Sequence, residues 1–206
     1  MENKKSSLLM KIHAVLLVID LAWVIRELVT TLFPNNLDYN SFLTVFSEGL
    51  QSYDLIVIVT DLLTISALAF SLIYLIKEYK KSAHISYKIF LCIYLFILVL
   101  ETVSAFAHAD ASIISKILFV LVLIVLSILT FVKNLGKKNS KLLAVGLIVL
   151  TILITLVIAI QFVNLGYPSS IIVHIVFGYL LYVLLSLTAY VMVTGKYIDK
   201  ESRGAK

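Results

Sequence analysis

The chain has 206 residues, of which 61% are hydrophobic and 14% charged, with a mean hydropathy of +1.06. A soluble domain carries about 25% charged residues, so this chain would expose large adhesive patches in water, and a soluble globular fold is excluded. The net charge of +5 is carried by the connections between apolar segments, which removes nucleic acid as its explanation, and the single cysteine, Cys92, excludes an internal disulfide framework or a cysteine-cluster metal site.

A membrane-spanning helix needs about 20 mostly apolar residues, each rising about 1.5 Å across the hydrocarbon. The first such run is 8–33. It keeps Asp20, Arg26 and Glu27 inside the segment and lacks a small-residue cleavage site, so it reads as a retained helix and not as a signal peptide. The stretch 34–54 follows as the longest loop. In it Ser41 is placed to cap a short helix on which Phe42, Phe46, Leu50 and Tyr53 recur at helical spacing. Two readings stand for it: an amphipathic helix on the membrane surface, or an ordered loop packed on helix ends. The remaining runs are 55–76, 89–107, 113–132, 142–163 and 170–193, and the tails 1–7 and 197–206 read as short solvated ends. The fold class is therefore all-α, a polytopic bundle of six transmembrane helices forming one integral membrane domain over 1–206.

The connections alternate in charge. Lys4, Lys5 and Lys11, then Lys77, Lys80, Lys81 and Lys88, then Lys133, Lys137, Lys138 and Lys141, then Lys196, Lys200, Arg203 and Lys206 make up 15 of the 17 basic residues. With six spans all of these lie on one side. The intervening loops, 34–54, 108–112 and 164–169, contain no Lys or Arg. The positive-inside rule places both termini in the cytoplasm. The outer loops carry no Asn-x-Ser/Thr acceptor, and the expected location is a bacterial cytoplasmic membrane.

Arg26 and Lys116 are the basic residues left within spans, together with the acids Asp20, Glu27, Asp61 and Glu101. Charges inside a bilayer face a protein interior or a wet cavity. Asp20 falls near the middle of the first span, whereas Glu27, Asp61, Glu101, His108, Lys116, Gln161 and His174 fall toward the outer ends of theirs. Helical spacing aligns His13, Asp20, Trp23, Glu27 and Thr30 on the first helix, and Asp54, Asp61, Thr64 and Ser71 on the second. It also aligns Tyr94, Glu101 and His108 on the third, and His174, Gly178, Tyr182, Ser186 and Tyr190 on the sixth. Helices 1, 2, 3 and 6 are expected to line a polar interior, with the aliphatic helix 4 most exposed to lipid. Tyr74, Tyr79, Tyr87, Tyr190 and Tyr197 read as aromatic anchors at the inner interface.

Each polar residue has two readings. Arg26 could pair with Asp61 or Glu101 to hold helices together, and Glu27 and Lys116 could snorkel to the headgroups. Asp20, with no base on its face, reads as a proton or cation site. His108 and His174 are packing residues or, alternatively, axial ligands to a haem or metal. Trp23 is too deep for the interfacial belt and packs in the core or lines a cavity. The expected site is Asp20, Trp23, Arg26, Glu27, Asp61, Glu101, His108, His174 and Tyr182, binding a small solute or ion. A cationic or proton-coupled solute is favoured, and neither cofactor nor metal is called for.

Six helices with cytoplasmic ends, a long first outer loop and an outward site resemble the layout of the substrate-capturing subunits of energy-coupling-factor vitamin importers. Those subunits carry a ladder of alanines on the first helix, whereas Ala14 and Ala22 stand isolated here. No HExxH or GxSxG motif occurs. His84 and Cys92 are similar to the His and Cys of membrane peptidases that process quorum-sensing peptides. Their spacing is one residue longer, and the glycine-rich basic approach to the histidine is missing, so the chain is read as non-enzymatic. The alternative role is a non-catalytic partner subunit or a protective immunity protein.

Overall fold

The computed structural model describes residues 2–32, 52–79, 87–107, 112–132 and 135–194. Six helices fill them: α1 (Glu2–Leu32), α2 (Ser52–Tyr79), α3 (Tyr87–Ala107), α4 (Ile113–Phe131), α5 (Lys137–Asn164) and α6 (Ser169–Thr194). Each contains an apolar stretch long enough to cross a membrane, from 19 residues in α4 to 27 in α5, and no strand occurs among the described residues. These are the helices of a multi-pass membrane protein. The spans read from the sequence agree with them to within a few residues. One exception is the first tail: α1 starts at Glu2, so residues 2–7 extend the helix. The expected surface helix up to Gln51 and the loop bearing His84 lie outside the described residues, while Tyr53, the last residue of that expected stripe, falls in the first turn of α2.

Lipid offers no hydrogen bonds, so each helix must close its own backbone and seal its ends. The turn between α5 and α6 does this with a Schellman closure. Gly166 N–H donates to Val163 O (3.0 Å) and Tyr167 N–H to Phe162 O (3.2 Å), while the Tyr167 ring meets Phe162 edge-on at 5.0 Å. Gly166 has φ 75°, a left-handed conformation that a Cβ disfavours. Gly166→Ala is therefore expected to lower stability by about 1 kcal/mol, read as a shift in denaturant unfolding in detergent. At the start of α4, Ser112 caps the helix by accepting from Ser115 N–H (3.1 Å), and its own N–H donates to Gln161 Oε1 (3.2 Å). Gln161, polar at the outer end of its span, thus ties two helix ends together.

The far end of α4 is sealed from another helix. Lys88 Nζ, in the first turn of α3, donates to the carbonyls of Leu129 (2.8 Å) and Thr130 (2.7 Å) in the last turn of α4. Among the described residues those oxygens have no intrahelical donor, and a cation at a helix C-terminus also suits the dipole. Hydrogen bonds to a charged group contribute about 1.5–3 kcal/mol each before competing hydration. Lys88→Met is expected to destabilise by an amount in that range, measured in the same assay. An unchanged midpoint would mean that water satisfies these carbonyls equally well.

Consecutive helices pack on one another, and α6 additionally touches α1, α2 and α3. It is the central helix, with half of its apolar stretch buried, and Leu185, Ser186, Thr188 and Ala189 are fully enclosed. The helices at the rim present Leu, Ile, Val and Phe outward, among them Ile113, Phe131, Leu142, Phe96 and Val15, as lipid requires. α4 packs only on α3 and α5 among the described residues, and α1 only on α2 and α6. The apolar stretches of α1 and α4 are 28% and 33% buried, so α4 shares the rim with α1 and does not stand apart as the lipid-exposed helix. Tyr74 and Tyr190, expected as interfacial anchors, are buried in the bundle, while Tyr87 is exposed. Their rings fill interior space where the inner ends of the helices draw together.

Candidate functional site

Polar side chains inside the bundle divide into those satisfied by their own helix and those that are not. Ser71, Thr102, Thr130, Thr151, Thr155 and Thr188 each donate to the carbonyl four residues back, at 2.6–3.0 Å. Such hydroxyls need no further partner. Of the polar seams visible as periodicity, these bonds account for Ser71 alone; Thr151 and Thr188 also reach other helices.

A second group bridges helices. Tyr94, fully buried on α3, donates its hydroxyl proton to Tyr182 O (2.9 Å) and lies 2.8 Å from Ser186 Oγ. Thr151 of α5 reaches the same Ser186 at 3.3 Å. Three helices therefore meet on one hydroxyl in the middle of the membrane. His13 of α1 pairs through Nε2 with Thr188 Oγ1 (3.1 Å) and also contacts the backbone at Leu184, clasping α1 to α6 in the inner half.

The third group is acidic. Asp61 of α2 stands within electrostatic reach of Glu27 on α1 and Glu101 on α3. Glu101 is hydrogen-bonded to the hydroxyl of Tyr182 on α6, whose ring lies 5.8 Å from that of Tyr179 at a tilt of 53°. Four helices thus contribute to one cluster, and Asp61 Oδ2 is buried there with no hydrogen-bond partner among the described residues. On α6, a Cβ added to Gly178 would meet nothing within 4 Å among the described residues. Gly178 shares its helix face with Leu185 and Ala189, seven and eleven residues on. That face lies between the side of α6 that meets α1 (Phe177, Thr188) and the side that meets α3 (Tyr182, Ser186).

Of the residues expected in the site, Glu27, Asp61, Glu101 and Tyr182 are brought together. Asp20 is buried on α1, two helical turns inward of Glu27. Trp23 is half-buried on the α1–α6 seam, where it stacks on Phe177 at 5.7 Å. Arg26 is exposed and sits over Trp23 at 5.5 Å from the ring centre. It forms no ion pair with Asp61 or Glu101, because one step of 100° from Glu27 puts it on the Trp23 side of α1, off the buried face. Lys116 lies over Phe106 at 5.7 Å, bridging α4 to α3. His108 and the side chain of His174 lie outside the described residues. Among those described, no three His, Cys, Asp or Glu side chains are placed to hold a metal ion. Cys92 is exposed on α3.

Sequence reading missed the Tyr94–Ser186–Thr151 junction, although Tyr94 and Ser186 lie on faces it marks, because periodicity relates residues within a helix and not between helices. It also missed the space beside Gly178, for which the small residue in a polar ladder was the available signal.

No protein-family model, curated protein or solved structure matches this chain. The likeness to importer subunits is therefore one of span number and charge layout alone.

Proposed function

We propose that the protein binds a small cationic solute in the outer half of the bundle, at the cluster formed by Glu27, Asp61, Glu101 and Tyr182. The observation that carries this reading is the Asp61 carboxyl group: it faces two other acids across a helix junction, and one of its oxygens is buried without a partner. Like charges at close range in a medium of low dielectric repel strongly, and a bound cation relieves that repulsion. Neither base within the spans pairs with Asp61, since Arg26 and Lys116 rest on aromatic rings. On α6 a side chain at Gly178, four residues before Tyr182, would meet nothing within 4 Å among the described residues, and the Tyr182 hydroxyl offers a solute an orienting group. Aspartate and glutamate oxygens around an apolar and aromatic wall suit an organic ammonium better than a bare metal ion, which needs several converging oxygens. With the basic loops cytoplasmic, the cluster is nearer the outside, so the reading is of a cell-membrane protein that takes its solute from there.

A thermal-stability screen of the protein in lipid nanodiscs, against inorganic cations, primary and quaternary amines and basic metabolites, tests this. A ligand at about 100 times its dissociation constant stabilises by about 2.7 kcal/mol. A flat response across the cationic panel would sink the reading and turn attention to a partner-binding or protective role, pursued by crosslinking.

A further inference from the structure

Asp20 is the most buried carboxylate among the described residues, with 6% of its surface exposed, and it belongs to none of the contacts above. Its Oδ2 is enclosed without a hydrogen-bond partner. The groups around it can be named helix by helix. On α1, Glu27 lies seven residues outward and His13 seven inward, each about 10 Å away along the axis. Arg26 is turned onto Trp23.

On α6, the contacts His13–Thr188 and Trp23–Phe177 bracket Asp20 and set it level with the stretch that holds Tyr179 and Tyr182. The Tyr182 hydroxyl is already engaged with Glu101. On α2, the antiparallel register that brings Asp61 near Glu27 sets Asp20 beside the buried residues Thr64, Ala67, Leu68 and Ser71. The Ser71 hydroxyl is bonded to Ala67 O at 2.7 Å. The Asp20 carboxyl is thus buried, with Oδ2 enclosed among these groups and unpartnered among the described residues.

An ionised carboxylate left unpaired in such a place is strongly disfavoured. A metal cation would need several more oxygens, and no three ligand groups converge among the described residues. A proton needs only the carboxyl group itself. We infer that Asp20 is a proton-binding site in its own right, separate from the Asp61–Glu101 cluster, with Glu27 and His13 as its outward and inward neighbours along the buried face of α1. The argument does not use the solute reading and stands if that reading fails.

The test uses the full chain in nanodiscs and dicyclohexylcarbodiimide, an apolar reagent that adds to carboxyl groups carrying a proton. Peptide mass spectrometry is expected to find the adduct on Asp20 in the wild type and equally in Asp61→Asn. Infrared spectra should show the carbonyl band of a protonated carboxyl group, kept in Asp61→Asn and Glu101→Gln and lost in Asp20→Asn. Either signature at Asp20, if independent of Asp61, supports the site. Absence of both overturns it. Loss of the adduct in Asp61→Asn would make Asp20 part of the cluster, and protection by sodium would make it a metal-cation site; either result also overturns the inference.

Discussion

Truncating Tyr94 to alanine is expected to cost about 3–5 kcal/mol of stability, the range for deleting a buried aromatic ring, whereas Tyr94→Phe should cost only about 1 kcal/mol. Tyr94 is fully enclosed and touches Phe90, with ring centres 6.1 Å apart. In a membrane, lipid is as apolar as the core, so the lost burial is not the main term. The cavity is: its lining side chains lose packing contacts that neither lipid nor water replaces. The hydroxyl adds less, because Ser186 keeps Thr151 as a neighbour once Tyr94 is phenylalanine, and only the Tyr182 carbonyl loses its tyrosine donor. Unfolding in mixed micelles measures both variants. Equal losses for Phe and Ala would show that the three-helix junction, and not the ring, holds α3 to α6.

The second large effect is on binding. Asp61→Asn and Glu101→Gln are each expected to abolish the stabilisation by whichever cation the screen identifies, a loss of up to about 2.7 kcal/mol at saturating ligand, while the unliganded protein stays as stable or gains. The gain follows because removing one of three facing acids relieves repulsion at no expense in shape. Gly178→Leu is expected to do the same by adding bulk on α6 four residues before Tyr182, since the glycine's surroundings leave room for a side chain. Arg26→Gln, by contrast, should leave the response intact, because Arg26 lies outside the cluster. A cation response that survives Asp61→Asn and Gly178→Leu but not Arg26→Gln would place the binding site on the α1–α6 seam instead.

The spans were legible because runs of about 20 apolar residues have no other use in a chain this short, and the loop charges supplied the orientation. The acidic residues were legible as interior groups because lipid rejects them. The arrangement around them was not. The few polar residues mark one face on helices 1, 2, 3 and 6 but do not say which of these faces meet, and nothing in the composition of α6 marks it as the central helix. Arg26 illustrates the limit: it is one residue from Glu27, yet that step of 100° around the helix turns one side chain to the cluster and the other onto Trp23. Tyr74 and Tyr190 stand at the depth of an aromatic belt, and only the packing of neighbouring helices determines that they point inward.

The central claim, a solute site open to the outer side, is tested most directly by chemical access. With Cys92 changed to serine, Gly178→Cys gives a single thiol on α6 four residues before Tyr182, which a membrane-impermeant, cationic methanethiosulfonate can probe in intact cells. The thiol is expected to react from outside, more slowly when a binding cation is present or when Asp61→Asn removes the charge that draws the reagent in. A thiol that stays unmodified from outside, or that reacts only in inverted membranes, would contradict the account.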